Sequence, residues 1–349
     1  MGPESLGPES LGPESLGIVW LTEKIRMAAC YKTVANHYLV ILYSSLERVV
    51  MPNMKRFFLL ATFSTSLLWP LAAMAASPPL VGEVATYRTQ VDDSLLELAR
   101  KYDVGYVEMI AANPVLDPWV PGVGKTILLP TSHLLPQAPH EGIVINIAEM
   151  RLYYFPVKDG VPETYPIGIG EAGSETPAGE TRVARKEPNP TWYRTKSEMA
   201  AKPWAPKIVP PGPDNPLGAY ALHLGWPSYL IHGTDDWRGV GRRDSRGCIR
   251  MYPEDIERLF NEVKVGTKVT MVNQPVKFAW IDGRLYMEVH PTPQQADQLE
   301  MDNTDQFEDP AGLSRMVLAA AKDSPQALDW VAIRRAAMDR NGVPVAITQ

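Results

Sequence analysis

Residues 231–251 read IHGTDDWRGVGRRDSRGCIRM and hold the side chains that best identify the fold and its chemistry. His232 follows an apolar, strand-like run, and Cys248 comes later in the same stretch, in a polar turn rich in Gly and Arg. A thiol attacks carbonyl groups well only as the thiolate, and a neighbouring imidazole can take its proton. The flanking Arg246 and Arg250 would also favour the anion. This stretch therefore predicts a cysteine nucleophile with a histidine base.

Two backbone N–H groups in the same turn are candidates for binding an oxyanion. Gly247 lets the backbone approach a substrate closely, and the N–H groups of Gly247 and Cys248 would then face the attacked carbonyl. A zinc site formed by His223, His232 and Cys248 is an alternative. No CxxC or HExxH spacing supports zinc, so we expect no metal ligands and no cofactor.

Residues 140–273 around this stretch carry mostly strand signals. Short apolar or alternating runs occur at 142–147, 151–155, 167–170, 220–224, 229–231 and 268–272. One amphipathic helix follows Pro253, with Ile256 and Leu259 on one face. The proline-rich run 203–216 indicates a long loop near the site. Many strands with a single helix predict a mostly-β domain, either a sandwich or a barrel.

A small module is predicted ahead of this domain, at residues 86–131. An alternating strand precedes a first helix that Ser94 and Glu97 would cap, a second helix ends at Asn113, and a strand follows. The predicted order is strand, helix, helix, strand. The proline-rich run 130–139 predicts a semi-extended linker between this module and the β domain.

Residues 274–349 predict a C-terminal extension, a β-hairpin followed by helices. Apolar residues keep helical spacing in two places, at Leu313, Met316, Val317 and Ala320 and at Leu328, Val331 and Ala332. We expect these helices to pack on the β domain, and we assign them no chemistry.

The N-terminal part of the chain, up to Ala75, is predicted to lie outside the folded core. Residues 1–53 carry GPESL three times and form a non-core extension. Residues 54–75 combine a basic start, an apolar run and the small-residue end Ala73-Met74-Ala75, which are the parts of a cleavable signal peptide. Met54 is then the expected start, and we predict export to the periplasm.

Charge and cysteine content exclude two classes of protein. The net charge of −6 argues against a nucleic-acid binder with a broad basic surface. The chain has two cysteines, and Cys30 would be absent from the mature protein. A disulfide-rich scaffold is therefore excluded, and Cys248 remains as a single thiol in an oxidising compartment.

The segment HGTDDWRGVGRRDSRGCIRM resembles the signature of the L,D-transpeptidases, the YkuD-domain family, and is most similar to the ErfK/YbiS type. The resemblance covers about residues 86–285 and implies a YkuD-like β-sandwich catalytic domain. Cys248 matches the nucleophile and His232 the general base. The other matching positions are Gly233, whose carbonyl would orient the imidazole, and Ser245, Gly247 and Arg250. Many members carry a second histidine where this chain has Arg246, which leaves His232 as the predicted base.

Residues 86–131 resemble a LysM module, a glycan-binding unit of cell-wall proteins. The matching stretches are YRTQVDDSLLELARKYDV, IAANPVLDP and ILLP. The resemblance implies binding of N-acetylated sugars. The alternative is a docking module that only packs against its neighbour.

The resemblance to the transpeptidases also implies a reaction on peptidoglycan stem tetrapeptides. Cys248 would attack the third stem residue, D-alanine would leave with a proton from His232, and an amine would attack the thioester. The residues expected to bind substrate are Tyr220, His223, Arg246 and Arg250. The acceptor amine is either the diamino acid of another stem or a lysine of an outer-membrane lipoprotein. Two other functions stay open, a cysteine hydrolase on the same stem peptides and a non-catalytic wall-binding protein.

Overall fold

The computed structural model describes residues 78–302, 310, 312–321 and 328–349. The predicted extension 1–53 and signal peptide 54–75 lie outside these residues. In the described part of the chain, no helix is both long and apolar enough to cross a membrane.

The N-terminal module has the predicted order of strand, helix, helix and strand, with a short strand on each side. Its elements are β1 (Leu80–Gly82), β2 (Ala85–Arg88), α1 (Leu95–Lys101), α2 (Tyr106–Ala112), β3 (Thr126–Leu129) and β4 (Ser132–Leu134). The predicted cap of α1 is confirmed, because the Ser94 hydroxyl accepts the Glu97 N–H at 3.2 Å. Strands β2 and β3 pair antiparallel, and β1 pairs with β4.

The catalytic-signature region forms an eight-stranded mixed sheet with short side elements. Its elements are β5 (Gly142–Asn146), β6 (Arg151–Phe155), β7 (Glu163–Pro166), β8 (Ile169–Gly170), β9 (Gly179–Pro188), β10 (Trp192–Tyr193), α3 (Lys196–Ala201), β11 (Ile208–Val209), β12 (Tyr220–Leu224), β13 (Leu230–His232), β14 (Arg243–Ser245), β15 (Ile249–Arg250), α4 (Pro253–Glu262) and β16 (Lys268–Val272). The sheet order is β15-β13-β12-β9-β16-β5-β6-β7, and β8 pairs with β14 separately. The predicted mostly-β class is confirmed.

The N-terminal module and the large sheet share one hydrophobic core. Buried residues of α1 and α2 belong to the same cluster as buried residues of β5, β13 and β15, for example Leu95, Met109, Ile143, Ile231 and Ile249. The linker predicted at 130–139 is therefore wrong in part, because its residues 132–135 are buried and include strand β4. The physical reason is that burial of the apolar side chains of Leu134 and Leu135 stabilises the fold, whereas an extended linker would leave them in water.

Most of the C-terminal extension builds a second, smaller core, whereas its helix at 293–302 contributes Ala296 and Leu299 to the first core. Its elements are β17 (Val276–Ile281), β18 (Arg284–Val289), α5 (Pro293–Asp302), α6 (Leu313–Ala321), α7 (Trp330–Asp339) and β19 (Val345–Ala346). Helices α6 and α7 pack on the sheet β17-β18-β19, so the expectation that they pack on the large β domain is wrong. Helix α7 begins after its cap at Asp329, so Leu328 lies outside it and pairs with Thr348.

Candidate active site

His232 ends strand β13 and is buried, with 5% of its surface exposed. Its Nδ1 lies 2.6 Å from the carbonyl oxygen of Gly233. Because a carbonyl only accepts, Nδ1 carries the hydrogen and the lone pair is on Nε2. Burial and the nearby guanidinium of Arg250 lower the pKa of the imidazole to about 4. His232 is therefore a neutral base at neutral pH.

The register between two parallel strands puts Cys248 next to the strand that carries His232, two residues along from its paired position. Ile231 pairs with Ile249 and His232 with Arg250. Side chains alternate along a strand, so Cys248, directly before β15, continues the face that carries His232 and Arg250. Strand spacing and rise put the α-carbons of Cys248 and His232 roughly 8 Å apart. Arg250 lowers the pKa of both groups, which agrees with a shared face.

The thiol of Cys248 is partly exposed and donates to the carbonyl of Ser228 at 3.4 Å. Burial raises its pKa, and the carboxylate of Glu198 raises it further. A hydrogen bond from the Leu230 backbone and the charge of Arg250 lower the pKa of the thiol, but by less than the other two causes raise it. The resting thiol is thus protonated, although the flanking arginines predicted an easily formed anion.

Ser245 organises the turn that carries the thiol. Its hydroxyl donates to the carbonyl of Cys248 at 2.6 Å and accepts the N–H of Gly247 at 3.2 Å. Gly247 has a φ of +99°, a backbone conformation that residues other than glycine rarely adopt. The N–H of Gly247, predicted as an oxyanion donor, is engaged by Ser245, and the N–H of Cys248 remains a predicted donor.

Two residues that support this turn were not recognised from the sequence. Thr176 donates its hydroxyl to the Gly247 carbonyl at 3.0 Å and accepts the Gly170 N–H at 3.0 Å. A Cβ at Gly170 would lie 2.9 Å from the α-carbon of Gly247, so the two backbones need glycine to meet. Thr176 is 71 residues from Gly247 in the sequence, and neither it nor Gly170 lies in a catalytic signature, so only the folded structure reveals their contacts with the turn.

The two arginines near the sulfur have different surroundings. Arg250 is largely buried and pairs with Asp244 at 2.7 Å. Arg246 is half exposed, and its Nε lies 3.3 Å from the carboxylate of Glu171. Arg250 therefore acts on the thiol and the imidazole, whereas Arg246 faces solvent and a neighbouring pocket.

The structure separates the two other predicted substrate residues, Tyr220 and His223. Ala221 pairs with His232, so Tyr220 points to the opposite face of the sheet. There its ring packs on Phe260 of α4, with centroids 4.7 Å apart, so the structure does not bring Tyr220 to the thiol. The sequence pattern alone does not show which side chains of β12 lie on which face of the sheet.

His223 lies on the same face as His232 but two strands away from Cys248. Its Nε2 is 2.7 Å from Glu187, and the guanidinium of Arg185 lies 2.8 Å from the same nitrogen. His223 is thus engaged in an ionic cluster, and the structure does not bring it to the thiol.

A pocket of about 320 Å³ lies beside the thiol-bearing turn. One wall is the lid, which we define as residues 189–219 between β9 and β12, and the predicted loop 203–216 is part of it. The pocket, here called the lid pocket, is lined by Trp192, Arg194, Glu198, Lys202, Val209 and Arg246, among others.

Donors that could hold a metal lie elsewhere. Among the described residues, donor atoms of His133, Glu149 and Glu288 come within 4.8 Å of one another. The ammonium of Lys277 lies 2.8 Å from Glu149 and 2.7 Å from Glu288, so a built-in cation already compensates these carboxylates. His223 is tied to Glu187, which leaves the zinc alternative without support from its geometry.

Comparison with known proteins places this site in a family. The sequence profile of YkuD, the L,D-transpeptidase catalytic domain, matches residues 140–271. The chain is 44% identical over 232 residues to the probable L,D-transpeptidase YcfS of Escherichia coli, covering 64% of this chain and 72% of the relative. It is 42% identical over 240 residues to the probable L,D-transpeptidase ErfK/SrfK of Salmonella typhimurium, covering 66% and 77%.

A third relative extends further along the chain. The probable L,D-transpeptidase YbiS of Escherichia coli is 40% identical over 256 residues, which is 71% of this chain and 81% of the relative. The alignments with YcfS, ErfK/SrfK and YbiS are each longer than the catalytic domain matched at 140–271. The chain therefore belongs to the L,D-transpeptidase family with a YkuD catalytic domain.

Proposed function

We propose that this protein is an L,D-transpeptidase that acts on peptidoglycan stem peptides through a thioester on Cys248. The observation that carries the proposal is the paired register of β13 and β15, which supports an approach of the Gly233-anchored imidazole to the thiol-bearing turn. Family membership supports the same class of reaction. A nucleophile next to an oriented base is the minimal unit for covalent acyl transfer.

The first step begins with an uncharged thiol and an uncharged imidazole. Burial raises the pKa of the Cys248 thiol and lowers that of His232, so neither carries charge at neutral pH. As the sulfur attacks the carbonyl of the third stem residue, its proton moves to Nε2 of His232. The imidazolium gives that proton to the amine of the departing D-alanine, and the thioester remains.

Arg250 acts on both charges that this step creates. Its guanidinium favours the thiolate and the developing oxyanion, and it disfavours the imidazolium. A disfavoured imidazolium is a stronger acid, so it transfers its proton more readily to the leaving amine. Arg250 thus supports the step in which the carbon–nitrogen bond breaks.

In the second step an amine attacks the thioester and the thiol is regenerated. We propose two acceptor classes, the diamino acid of another stem peptide, which gives a 3→3 cross-link, and a lysine of an outer-membrane lipoprotein. Water is the competing acceptor, and a protein that used only water would be a hydrolase. The partly exposed thiol is accessible to all three.

We also propose that the enzyme works in the periplasm and that its N-terminal module binds wall glycan. The basic, apolar and small-residue parts of 54–75 support export. The strand-helix-helix-strand order of the module, together with the exposed Trp119 and Val120, supports a LysM-like sugar contact. Binding of the purified protein to isolated sacculi, compared with a Trp119→Ala variant, tests this contact.

The decisive experiment is product analysis by mass spectrometry after incubation with a disaccharide tetrapeptide. We expect free D-alanine and cross-linked dimers with the unchanged protein, and neither with Cys248→Ala at equal folded content. Free tripeptide without dimers, even when amine acceptors are added, would identify a hydrolase instead. Retained sacculus binding without any product would identify a wall-binding protein.

A further inference from the structure

The lid pocket has no assigned role, and it adjoins the nucleophile. Arg246, which lines it, precedes Cys248 in the same turn and is separated from it only by Gly247. The lid pocket has a volume of about 320 Å³, which is small and suits a group of amino-acid size. A molecule held here is therefore next to the turn that carries the sulfur.

The lid wall of this pocket is a preorganised structure. The buried guanidinium of Arg194 donates to the backbone carbonyls of Lys202 at 2.9 Å and Ala205 at 3.0 Å, and it also donates to the carbonyl of Glu198. These hydrogen bonds hold three lid carbonyls around one arginine. The charge of Arg194 is therefore stabilised by the backbone and not by a ligand. Arg194 is thus a support of the pocket, and other charges are left to recognise ligands.

Glu198 is held in the first turn of helix α3 by a capping box. Its carboxylate accepts the N–H of Thr195 at 2.7 Å, and the Thr195 hydroxyl accepts the N–H of Glu198 at 3.3 Å. The side chain is partly buried and lines the pocket. The carboxylate also lies close enough to Cys248 to raise the pKa of the thiol. A negative charge near a sulfur that must ionise is unfavourable unless a cation accompanies the substrate.

The lining of the pocket also carries positive charges. Arg246 lines the pocket and pairs with Glu171 through Nε at 3.3 Å, and a guanidinium has further N–H donors for a carboxylate. The exposed Lys202 adds a second positive charge on the lid side. The lid pocket therefore presents charges of both signs across a space of amino-acid size.

We propose that the lid pocket is the acceptor subsite and that it takes an amine with a carboxylate nearby, with the ammonium on Glu198 and the carboxylate on Arg246. This inference rests on the proposed transpeptidase function, which requires an amine acceptor that is a cation at neutral pH. Both proposed acceptor classes are primary amines, and Glu198 selects them over water. Arg246 adds selectivity for amines that carry an acid group.

The transfer step balances with the groups at hand. The bound ammonium first releases one proton to solvent, and the neutral amine attacks the thioester carbonyl. A carbon–nitrogen bond forms and the carbon–sulfur bond breaks. The second amine proton passes to Nε2 of His232 and then to the departing sulfur, which restores the thiol of Cys248. Glu198 orients the amine and is a positioning residue that takes no lasting proton.

The test compares three small acceptors in competition on the same thioester. Glycine is a zwitterion, ethanolamine is a cation without a carboxylate, and hydroxylamine is an uncharged amine at neutral pH. The donor is the disaccharide tetrapeptide, and mass spectrometry gives the ratio of the adducts. A ratio taken within one reaction cancels any change in the donor step.

Glu198→Gln removes the charge but keeps the capping box, because glutamine also accepts the Thr195 N–H. We expect the ethanolamine-to-hydroxylamine ratio to fall about tenfold, since a charge-assisted hydrogen bond is lost. Arg246→Gln should lower the glycine-to-ethanolamine ratio by a similar factor. Glu83→Gln, the same change at an exposed position of the N-terminal module, should leave both ratios unchanged.

Unchanged ratios in Glu198→Gln would overturn the acceptor subsite, and so would an equal loss of all three adducts. The proposed function fails differently, because the unchanged protein would then form no adduct and release no D-alanine. The pH dependence gives an independent readout. Loss of Glu198 should remove the preference for the cationic acceptor across neutral pH, which a merely structural role would not do.

Discussion

The ammonium of Lys277 lies 2.8 Å from the carboxylate of Glu149, and both side chains are fully buried. Lys277 belongs to β17 of the C-terminal extension, and Glu149 precedes β6 of the large sheet. The same ammonium contacts Glu288 at 2.7 Å and donates to the Leu134 carbonyl at 2.6 Å. A single buried cation thus joins the C-terminal extension, the catalytic sheet and the last strand of the N-terminal module.

Replacing Lys277 with methionine should lower the free energy of unfolding by about 3–5 kcal/mol, because two buried carboxylates lose their compensating charge. Urea unfolding followed by circular dichroism measures this change. The matched control is Lys268→Met, since Lys268 pairs with Glu141 at the surface with 67% of its side chain exposed. That variant should stay close to the unchanged protein, and equal losses in both would contradict a special role for the buried pair.

Gly170→Ala tests the support beneath the catalytic turn. The added Cβ would lie 2.0 Å from the Ser174 carbonyl oxygen and 2.9 Å from the Gly247 α-carbon, so the turn must move. We expect kcat/KM for D-alanine release to fall on the order of a hundredfold, since small displacements at a nucleophile are costly. Gly173→Ala is the control, because its Cβ meets nothing within 4 Å, so its φ of +82° adds backbone strain without a clash against the turn. Similar activities of the two variants would exclude this support role.

The proposed nucleophile and the proposed base could be named from the sequence because they lie in one short signature. His232 and Cys248 both fall within residues 231–251, and the turn between them is rich in the glycine and arginine that such chemistry needs. The mostly-β class followed from alternation of apolar residues in the same way. Both signals are local, so they are visible without knowledge of the fold.

The features that needed coordinates depend on long-range pairing. Lys277 and Glu149 are 128 residues apart, and nothing in their neighbours indicates that either is buried. Thr176 supports the turn through a hydrogen bond to Gly247, 71 residues away in the sequence, and Gly170 packs against the same turn. The sequence does not show which face of the sheet Tyr220 occupies, because a shift of one residue along a strand moves a side chain to the other face. Local patterns contain no information on these choices.

The pH dependence of the reaction should reflect the lowered pKa of His232. The imidazole has a pKa of about 4 in the folded protein, so it stays a neutral base until the pH falls to that value. We expect the acidic limb of kcat/KM near pH 4 and not near the 6.5 of an exposed histidine. Initial rates of D-alanine release between about pH 3.5 and 8 measure this limb.

Arg250→Met provides the companion measurement for that limb. Removing the guanidinium takes away one cause of the lowered pKa, so the acidic limb should move to higher pH. Burial remains, so the limb should stay below the ordinary value for histidine. A limb near pH 6.5 in the unchanged protein would show that His232 is not buried from solvent in the active state.

Asp255 should make the folded protein less stable in alkaline solution. It lies at the start of α4, is 4% exposed, and shares a hydrogen bond with Asp103, which follows α1. Burial and the Asp103 carboxylate raise its pKa to about 8. The folded state therefore keeps a proton that the unfolded state has lost, so stability falls as the pH rises from about 4 to about 8.

Asp255→Asn removes this ionisation, and its advantage over the unchanged protein should therefore grow with pH. We expect little difference near pH 4 and a gain on the order of 2 kcal/mol at pH 8 in the free energy of unfolding. Urea unfolding at the two pH values measures the gain. Asp103→Asn should act in the same direction, because it removes the carboxylate that raises the pKa of Asp255. Asparagine also tolerates the φ of +58° at this position. A constant difference at both pH values would mean that the two carboxyl groups do not share a proton across the contact between α1 and α4.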